Sequence, residues 1–414
     1  MRALREARLH AGHWLYAQVA RVLGPALRLE RIGWLRFVPS IPRRGRRFVP
    51  GRWSDTSNWP TPPALRTVAG IERDPVVEEQ ALTAAPPRDF TIFHADASNY
   101  GLGHGWGFVL PTGGRLARAL RRMRAIRERV PPPPAVVDSP EALTERIREA
   151  AHRAGLSKVG FARFDPKYSF VEHRADHGDP TVIVCLLEQD YEATQRAPSV
   201  RAERGAFRAY GDLITGMTAL AEAIQAMGFS ARPQSIGAEM LAIPYGVEAG
   251  LGQLGLNGQL LTPEAGSRAR LGLITSNVPV VYGRPVDYGI HAICDMCQAC
   301  VRRCPVGAIP SRRRPHHGVT KAKIKTERCF PVVSSAHGCA ICIKVCPIQK
   351  YGLGAVTDHY ERTGGVLGRD TDALEAFHWP LDGLTYKAGS KPRVTKKLLH
   401  PPGFEFDPKR DAAP

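Results

Sequence analysis

The sequence predicts an α/β core followed by a small cysteine-dense domain. Two observations support this fold class. Amphipathic helical segments alternate with short apolar runs between residues 136 and 290, and eight of the nine cysteines lie between residues 294 and 346. Alternating helices and buried strands are typical of an α/β core. The chain has 414 residues, of which 43% are hydrophobic, so it can form two or three domains.

Residues 1–135 are interpreted as a basic N-terminal extension. Residues 1–50 contain eleven Arg and two Glu, so they carry +9 of the formal net charge of +18. Such an excess suits an anionic surface, and lipid, nucleic acid and an acidic protein partner all remain open. The prolines at 131–134 cannot continue a helix and form a stiff spacer. We therefore place the first domain boundary there.

The extension contains one apolar run, at residues 13–29. Arg21 and Pro25 interrupt it, so it is too short and too polar for a spanning helix. It also lacks the small-residue cleavage site of a signal peptide. We expect a cytoplasmic protein, with peripheral contact to a membrane through an amphipathic segment as an alternative.

Residues 136–290 are predicted to form the α/β core. Ser139 is a helix N-cap, and β-branched and aromatic runs predict strands. The predicted elements are a helix after Ser139, strands at KVGFARF and TVIVCLL, a helix led by Tyr210, and a strand in LGLITSNVPVVYG. Cys185, within TVIVCLL, is expected to be a core residue and not a ligand. Residues 354–414 are Pro- and Lys-rich and predict an irregular tail.

The stretch GLGQLG places Gly250, Gly252 and Gly255 in the spacing of a dinucleotide fingerprint. That interpretation requires an acid about 20 residues further on to hold a ribose. No Asp or Glu occurs between Arg270 and Asp287. The glycines therefore indicate either a tight turn or a loop that lets a ligand approach the backbone, and the local sequence leaves both open.

The cysteines of residues 291–353 form two sets that each end in Cys-Pro. Cys294, Cys297, Cys300 and Cys304 follow C-x2-C-x2-C-x3-C-P, and Cys329, Cys339, Cys342 and Cys346 follow C-x9-C-x2-C-x3-C-P. Thiolates at these intervals can wrap one cubane while the last Cys reaches the other. This pattern predicts a ferredoxin-like domain with two 4Fe-4S clusters, one held by Cys294, Cys297, Cys300 and Cys346, the other by Cys329, Cys339, Cys342 and Cys304. Structural zinc and disulfides need no such doubled run.

Several stretches in this order resemble the corrinoid-dependent reductive dehalogenases and, less closely, epoxyqueuosine reductase, a tRNA-modification enzyme. The likeness covers about residues 137–353 and includes AGLGQLGLNGQLLTPEAGSRARLGLITSNVPV and VDYGIHAICDMCQACVRRCPVGAI. It implies a nitroreductase-like α/β core that holds base-off cobalamin, with two 4Fe-4S clusters that supply electrons to cobalt. The resemblance also implies that Gly250, Gly252, Gly255 and Asn257 form part of the corrinoid pocket.

The resemblance implies catalytic residues as well. Dehalogenases place a Tyr over the cobalt as proton donor, with a nearby cation that stabilises the phenolate and holds the leaving anion. Tyr210 matches the Tyr by sequence order, and Arg268 and Arg270 match the cations. A packing role for Tyr210 and a surface role for the arginines are the alternatives, and Tyr245 is a second candidate.

Two features separate the relatives. Epoxyqueuosine reductase has a catalytic Asp where this chain has Ser235, and a longer gap at the start of its second cysteine set. Both favour a reductive dehalogenase that passes electrons to cobalt to cleave a carbon-halogen bond. Its expected partners are a ferredoxin- or flavodoxin-type donor and a small organic substrate. The alternatives are a tRNA-modifying reductase, or an electron carrier without corrinoid.

Overall fold

The computed structural model describes residues 118–134, 138–169, 178–234, 240–316, 319–325, 328–329, 332–333 and 336–395. The basic head at residues 1–50 and Ser235 lie outside the described residues. Among the described helices, none combines the length and apolar character that a membrane-spanning segment needs.

The core elements occur in the following chain order. They are α1 (Pro140–Arg153), β1 (Lys158–Arg163), β2 (Thr181–Glu188), α2 (Tyr191–Gln195), α3 (Val200–Ala226), β3 (Arg232–Pro233), α4 (Ala242–Glu248), β4 (Gln253–Leu254), β5 (Leu260–Leu261) and β6 (Ala269–Ser276). A four-stranded sheet in the order β1-β2-β6-β3 organises them, and each of its strand pairs is antiparallel. The central strand β2 is buried over six consecutive residues, which explains its continuous apolar sequence.

Helices α1 and α3 cover one face of the sheet. Each begins at a serine whose side chain accepts a backbone N–H, Ser139 from Ala142 at 3.2 Å and Ser199 from Ala202 at 3.1 Å. Helix α3 starts ten residues before the predicted position, so Tyr210 lies within the helix and does not lead it. That expectation was wrong because the apolar run begins only after the capped and more polar first turns.

The arginine-rich helix at residues 118–128 packs on the core. Its apolar positions Met123 and Ile126 are 4% and 5% exposed. The buried side chain of Gln225 in α3 donates from Nε2 to the carbonyl of Ile126 at 2.8 Å. Arg122 also forms an ion pair with Glu222 of α3. This part of the extension therefore packs against the folded core, while Arg118, Arg121 and Arg124 are exposed.

The cysteine-rich segment consists of short helices and hairpins. They are α5 (Ile290–Cys297), α6 (Ala299–Arg303), β7 (Arg314–His316), β8 (Val319–Lys321), α7 (Ile341–Lys344), α8 (Pro347–Tyr351), α9 (Leu353–Thr363), α10 (Asp372–Glu375), β9 (Phe377–His378) and β10 (Thr385–Tyr386). The expectation of an irregular tail from residue 354 is wrong for its first part, which contains α9, α10 and the β9-β10 hairpin. Val356, Phe377 and Trp379 share a buried cluster with Cys297 and Cys346. This segment therefore completes the core of the cysteine-rich domain.

The β4-β5 hairpin requires a glycine at position 252. A Cβ placed there would lie 2.1 Å from the carbonyl oxygen of Leu261. We expect Gly252→Ala to destabilise the fold by about 1–3 kcal/mol, because the two backbones must separate. Thermal unfolding followed by circular dichroism measures this effect.

Gly211→Ala in α3 is the matched control, because its added Cβ would have no atom within 4 Å other than those of its chain neighbours and of the adjacent helix backbone. Alanine is the better helix former, so this control should unfold at the same or a higher temperature. Equal melting temperatures for Gly252→Ala and the unmodified chain would contradict the close approach at this hairpin.

Candidate functional site

Both cysteine sets have the same local backbone. A residue in the left-handed region, Gln298 at φ 54° or Ala340 at φ 56°, precedes a short helix whose second residue is a cysteine. After each helix, Cys304 and Cys346 are extended, with ψ of 117° and 120°. A following proline disfavours the helical region for the residue before it. The repeated Cys-Pro thus directs the last cysteine of each set away from its own helix.

One cavity brings cysteines from both sets together. Its lining includes Cys294, Cys297, Cys300, Cys342 and Cys346, together with Asn257, and it contains about 350 Å³ of space between atoms, part of which is open to solvent. The first set therefore contributes three thiols, and the second set contributes two, those of Cys342 and of its last residue, Cys346. The position of Cys346 beside Cys294, Cys297 and Cys300 agrees with the crossed pairing, in which the last cysteine of each set binds the cluster of the other set.

The remaining four cysteines lie around a second centre. Cys304 packs with Ala308 and Ile309 against Cys329 and Cys342. The backbone N–H of Ala308 donates to the Cys304 sulfur at 3.2 Å. Burial raises the pKa of Cys342, and the nearby charges of Cys329 and Cys304 raise it further. Burial also raises the pKa of Cys339, which lies near Cys342 and Cys304. Cys342 also borders the first cavity, so the two centres adjoin each other.

Burial also raises the pKa of Cys294 in the first cavity, to about 11. Cysteine binds metal as the thiolate, so a bound iron centre must displace the protons of such thiols. The four-thiol donor sets fit 4Fe-4S clusters, each of which is held by four cysteine thiolates.

The predicted catalytic residues meet beside the end of β2. The guanidinium of Arg270 lies over the ring of Tyr210, 5.0 Å from its centroid, and that of Arg268 lies over Tyr191 at 5.6 Å. Arg268 also pairs with Glu188 at 3.3 Å. The register of β2 and β6 places Leu187 opposite Arg270, which brings both arginines to this edge of the sheet.

Gln189 is a residue of this site that sequence reasoning missed. Its backbone carbonyl accepts from Arg268 Nη1 at 2.7 Å, and its side-chain oxygen accepts from Arg270 Nη2. Its amide nitrogen donates to Thr194 at 2.9 Å, so the side chain is fixed at both ends. The Nε atoms of Arg268 and Arg270 are buried without a hydrogen-bond partner in the described residues. Two N–H donors are therefore available to an acceptor that is not part of these residues.

This arginine site is linked to the first cysteine cavity. Asn257, which lines the cavity, donates to the hydroxyl of Ser267 at 3.2 Å, and Ser267 precedes Arg268. On the other side, Gln195 of α2 donates to Gln349 of α8 at 3.2 Å. The cavity and the two arginines therefore both lie near the contact between the core and the cysteine-rich domain.

The glycines of GLGQLG pack against the chain itself. Added Cβ atoms would lie 2.6 Å from the Arg284 carbonyl at Gly250, and 2.7 Å from the Leu261 side chain at Gly255. Together with the close approach at Gly252, these contacts favour the tight-turn interpretation over a loop that opens to a ligand. Of the four predicted pocket residues, Asn257 is the one that lines the cysteine cavity.

Tyr245, the second catalytic candidate, is a core residue. Its side chain is 0% exposed, and its hydroxyl donates to the carbonyl of Asp165 at 3.0 Å and accepts from its N–H at 3.1 Å. Burial raises its pKa. This candidate was wrong, because a hydroxyl that is buried and already makes two hydrogen bonds cannot reach a substrate.

Comparisons with known proteins show which families have a similar sequence and fold. Residues 293–350 match the 4Fe-4S dicluster domain family. A tetrachloroethene reductive dehalogenase of Desulfitobacterium hafniense is 27% identical over 209 residues, which cover 47% of this chain and 37% of that protein. The solved structure of the catabolic reductive dehalogenase NpRdhA in complex with 3-bromo-4-hydroxybenzoic acid matches with a TM-score of 0.57 at 21% identity, covering 79% of this chain and 54% of the other.

The chain is a relative of the reductive dehalogenase family. The predicted resemblance is thereby confirmed, as are an α/β fold shared with these proteins and a domain of the two-cluster 4Fe-4S type. An epoxyqueuosine reductase of Salmonella typhimurium is 30% identical over 156 residues, which cover 36% of this chain and 39% of that protein. The chain spans only 37% of the length of the first dehalogenase.

Proposed function

We propose that this chain is a corrinoid iron-sulfur oxidoreductase of the reductive dehalogenase type, in which two 4Fe-4S clusters deliver electrons to cobalt for cleavage of a carbon-halogen bond. We also propose that its core is of the nitroreductase-like type. The observation that carries the proposal is the pair of arginines beside Tyr210, with two buried N–H donors that no described residue accepts. This site adjoins a cavity lined by five cysteines from the two sets.

The corrinoid fits the donors at the junction of the two domains. A corrinoid carries many amide side chains, whose carbonyl groups are acceptors for unpartnered N–H groups such as those of Arg268 and Arg270. Asn257 offers a further amide beside the cavity. When bound, the corrinoid supplies the strongly reducing cobalt that the reaction needs.

The side chains then perform three tasks. Tyr210 Oη donates the proton that the product carbon receives in place of the halogen. The positive charge of Arg270 over its ring stabilises the phenolate that remains. The half-buried Arg268 and Arg270 attract the departing halide through their positive charge, while their Nε donors face the corrinoid amides.

Turnover tests this function. Anaerobic protein loaded with cobalamin should release halide from tetrachloroethene or 3-bromo-4-hydroxybenzoic acid, and leave an epoxyqueuosine-modified tRNA stem loop unchanged. Conversion of the stem loop without halide release would favour the tRNA-modifying alternative, which the epoxyqueuosine reductase relative supports. Reduction of the clusters without either reaction would indicate that the chain is an electron carrier.

Gln189 is expected to position the two arginines for this reaction. We expect Gln189→Leu to lower kcat/KM by up to about 100-fold, because Arg270 loses its acceptor and leaves its position. The iron content should not change. Halide release under steady-state conditions measures the effect.

Gln234→Leu is the matched control, since Gln234 is equally buried, in the loop that follows β3, and its weak hydrogen bonds at 3.4 and 3.5 Å reach neither arginine. An equal loss in both variants would indicate general destabilisation and would contradict a positioning role.

A further inference from the structure

A group of exposed cations lies beside the second cysteine centre. Residues 305–329 contain seven Lys and Arg but one acidic residue. Lys325 and Arg328 are exposed, and no ion pair among the described residues neutralises them. We call these two residues, together with the exposed Lys391, the basic rim.

The basic rim lies close to Cys304. Lys391 donates to the carbonyl of Cys304 at 3.4 Å. Lys325 donates its backbone N–H to the carbonyl of Ala308 at 2.8 Å, and Ala308 in turn donates to the Cys304 sulfur. The guanidinium of Arg328 lies 3.9 Å from the position of a Cβ on Gly307. Positive charge therefore concentrates where this centre approaches the surface.

The second centre is the more accessible of the two. Cys329, Cys339 and Cys342 are partly exposed, and Cys304 is buried. In the first centre, two of the four cysteines, Cys294 and Cys300, are partly exposed, and Cys297 and Cys346 are buried. A short distance to the surface favours electron entry at the second centre, and a charged surface steers an oppositely charged protein to it.

We infer that the basic rim is the docking surface for an acidic one-electron carrier protein of the ferredoxin type. This inference rests on the proposed function, since it requires redox-active clusters. In the transfer step, one electron passes from the reduced ferredoxin to the oxidised second cluster. The ferredoxin becomes oxidised, and no bond or proton changes.

An acidic protein fits this surface better than a nucleic acid. Proteins that hold single-stranded RNA combine cations with aromatic side chains on which bases stack. In the described part of the chain, the large hydrophobic residues that are exposed are Val and Leu, and none is aromatic. The rim therefore offers charge beside a redox centre but no stacking platform.

Stopped-flow reduction of the clusters tests the inference. An acidic two-cluster ferredoxin, reduced beforehand, is mixed with the full chain that carries Lys325→Glu, Arg328→Glu and Lys391→Glu. We expect the second-order rate to fall at least about tenfold, and to lose the salt dependence of the unmodified chain. The clusters should still be reduced at the normal rate by photoreduced deazaflavin, which needs no protein docking.

A matched set, Arg121→Glu, Arg124→Glu and Arg129→Glu, changes the net charge equally on exposed positions of the 118–130 segment. Equal rates for the two sets would overturn the inference. A tRNA that binds the unmodified chain but not the rim variant, with the ferredoxin rate unchanged, would also overturn it and assign the rim to nucleic acid. Because the readout is cluster reduction, a chain without cobalt that still shows the rim effect would contradict only the proposed function.

Discussion

Replacing Cys304 and Cys339 together by serine should leave about four iron ions per chain, because the crossed pairing assigns both to the second cluster. Replacing Cys304 and Cys294 together should remove nearly all iron, because these two residues then belong to different clusters. The cavity that Cys346 shares with Cys294, Cys297 and Cys300 is the basis for this expectation. Iron analysis of anaerobically purified variants measures it.

If each set of four consecutive cysteines held its own cluster, the two double variants would give the opposite iron contents. The two variants therefore distinguish this uncrossed pairing from the crossed one. About four iron ions with Cys304 and Cys294 replaced, and almost none with Cys304 and Cys339 replaced, would contradict the crossed arrangement. Cys185→Ser is the control that should retain the full iron content. Cys185 is 0% exposed and lies in the middle of β2, far along the chain from both sets.

Tyr210→Phe should reduce halide release by about 100-fold to 10,000-fold, the range in which a positioned general acid contributes to a rate. The variant keeps the ring beneath Arg270 and removes only the hydroxyl. Iron and cobalt contents should therefore remain those of the unmodified protein. Single-turnover assays with chemically reduced protein separate the chemical step from electron delivery.

Tyr191→Phe provides the matched control, because Tyr191 also lies beneath an arginine, Arg268, at 5.6 Å. Loss of turnover in Tyr191→Phe with activity retained in Tyr210→Phe would reverse the roles of the two tyrosines. Full activity in both variants would remove tyrosine from the proton-transfer step.

Local sequence signals predicted much of the core and of the cysteine pattern. Ser139 and the runs KVGFARF and TVIVCLL mark a helix and two strands that the structure contains. Such signals depend on residues close together in the chain, and this also holds for the two Cys-Pro sets. The true start of α3 had a signal as well, since Ser199 caps it, but the apolar run from Tyr210 was the stronger pattern.

The arginine site could be predicted only in part, because its geometry depends on contacts between distant segments. Gln189 joins Arg268 and Arg270 through the pairing of β2 with β6, whose register no local pattern specifies. The segment after residue 353 was misread for a similar reason. Arg303 is almost fully buried, and its Nε donates to the carbonyl of Glu375, more than 70 positions further along the chain. No local pattern indicates such a contact.

The iron and cobalt content of the protein, produced anaerobically with cobalamin, tests the central claim most directly. Elemental analysis together with the absorbance spectrum should give about eight iron ions and one cobalt per chain. Eight iron ions without cobalt, under conditions that load a known reductive dehalogenase, would contradict the corrinoid mechanism and leave an iron-sulfur electron-transfer protein.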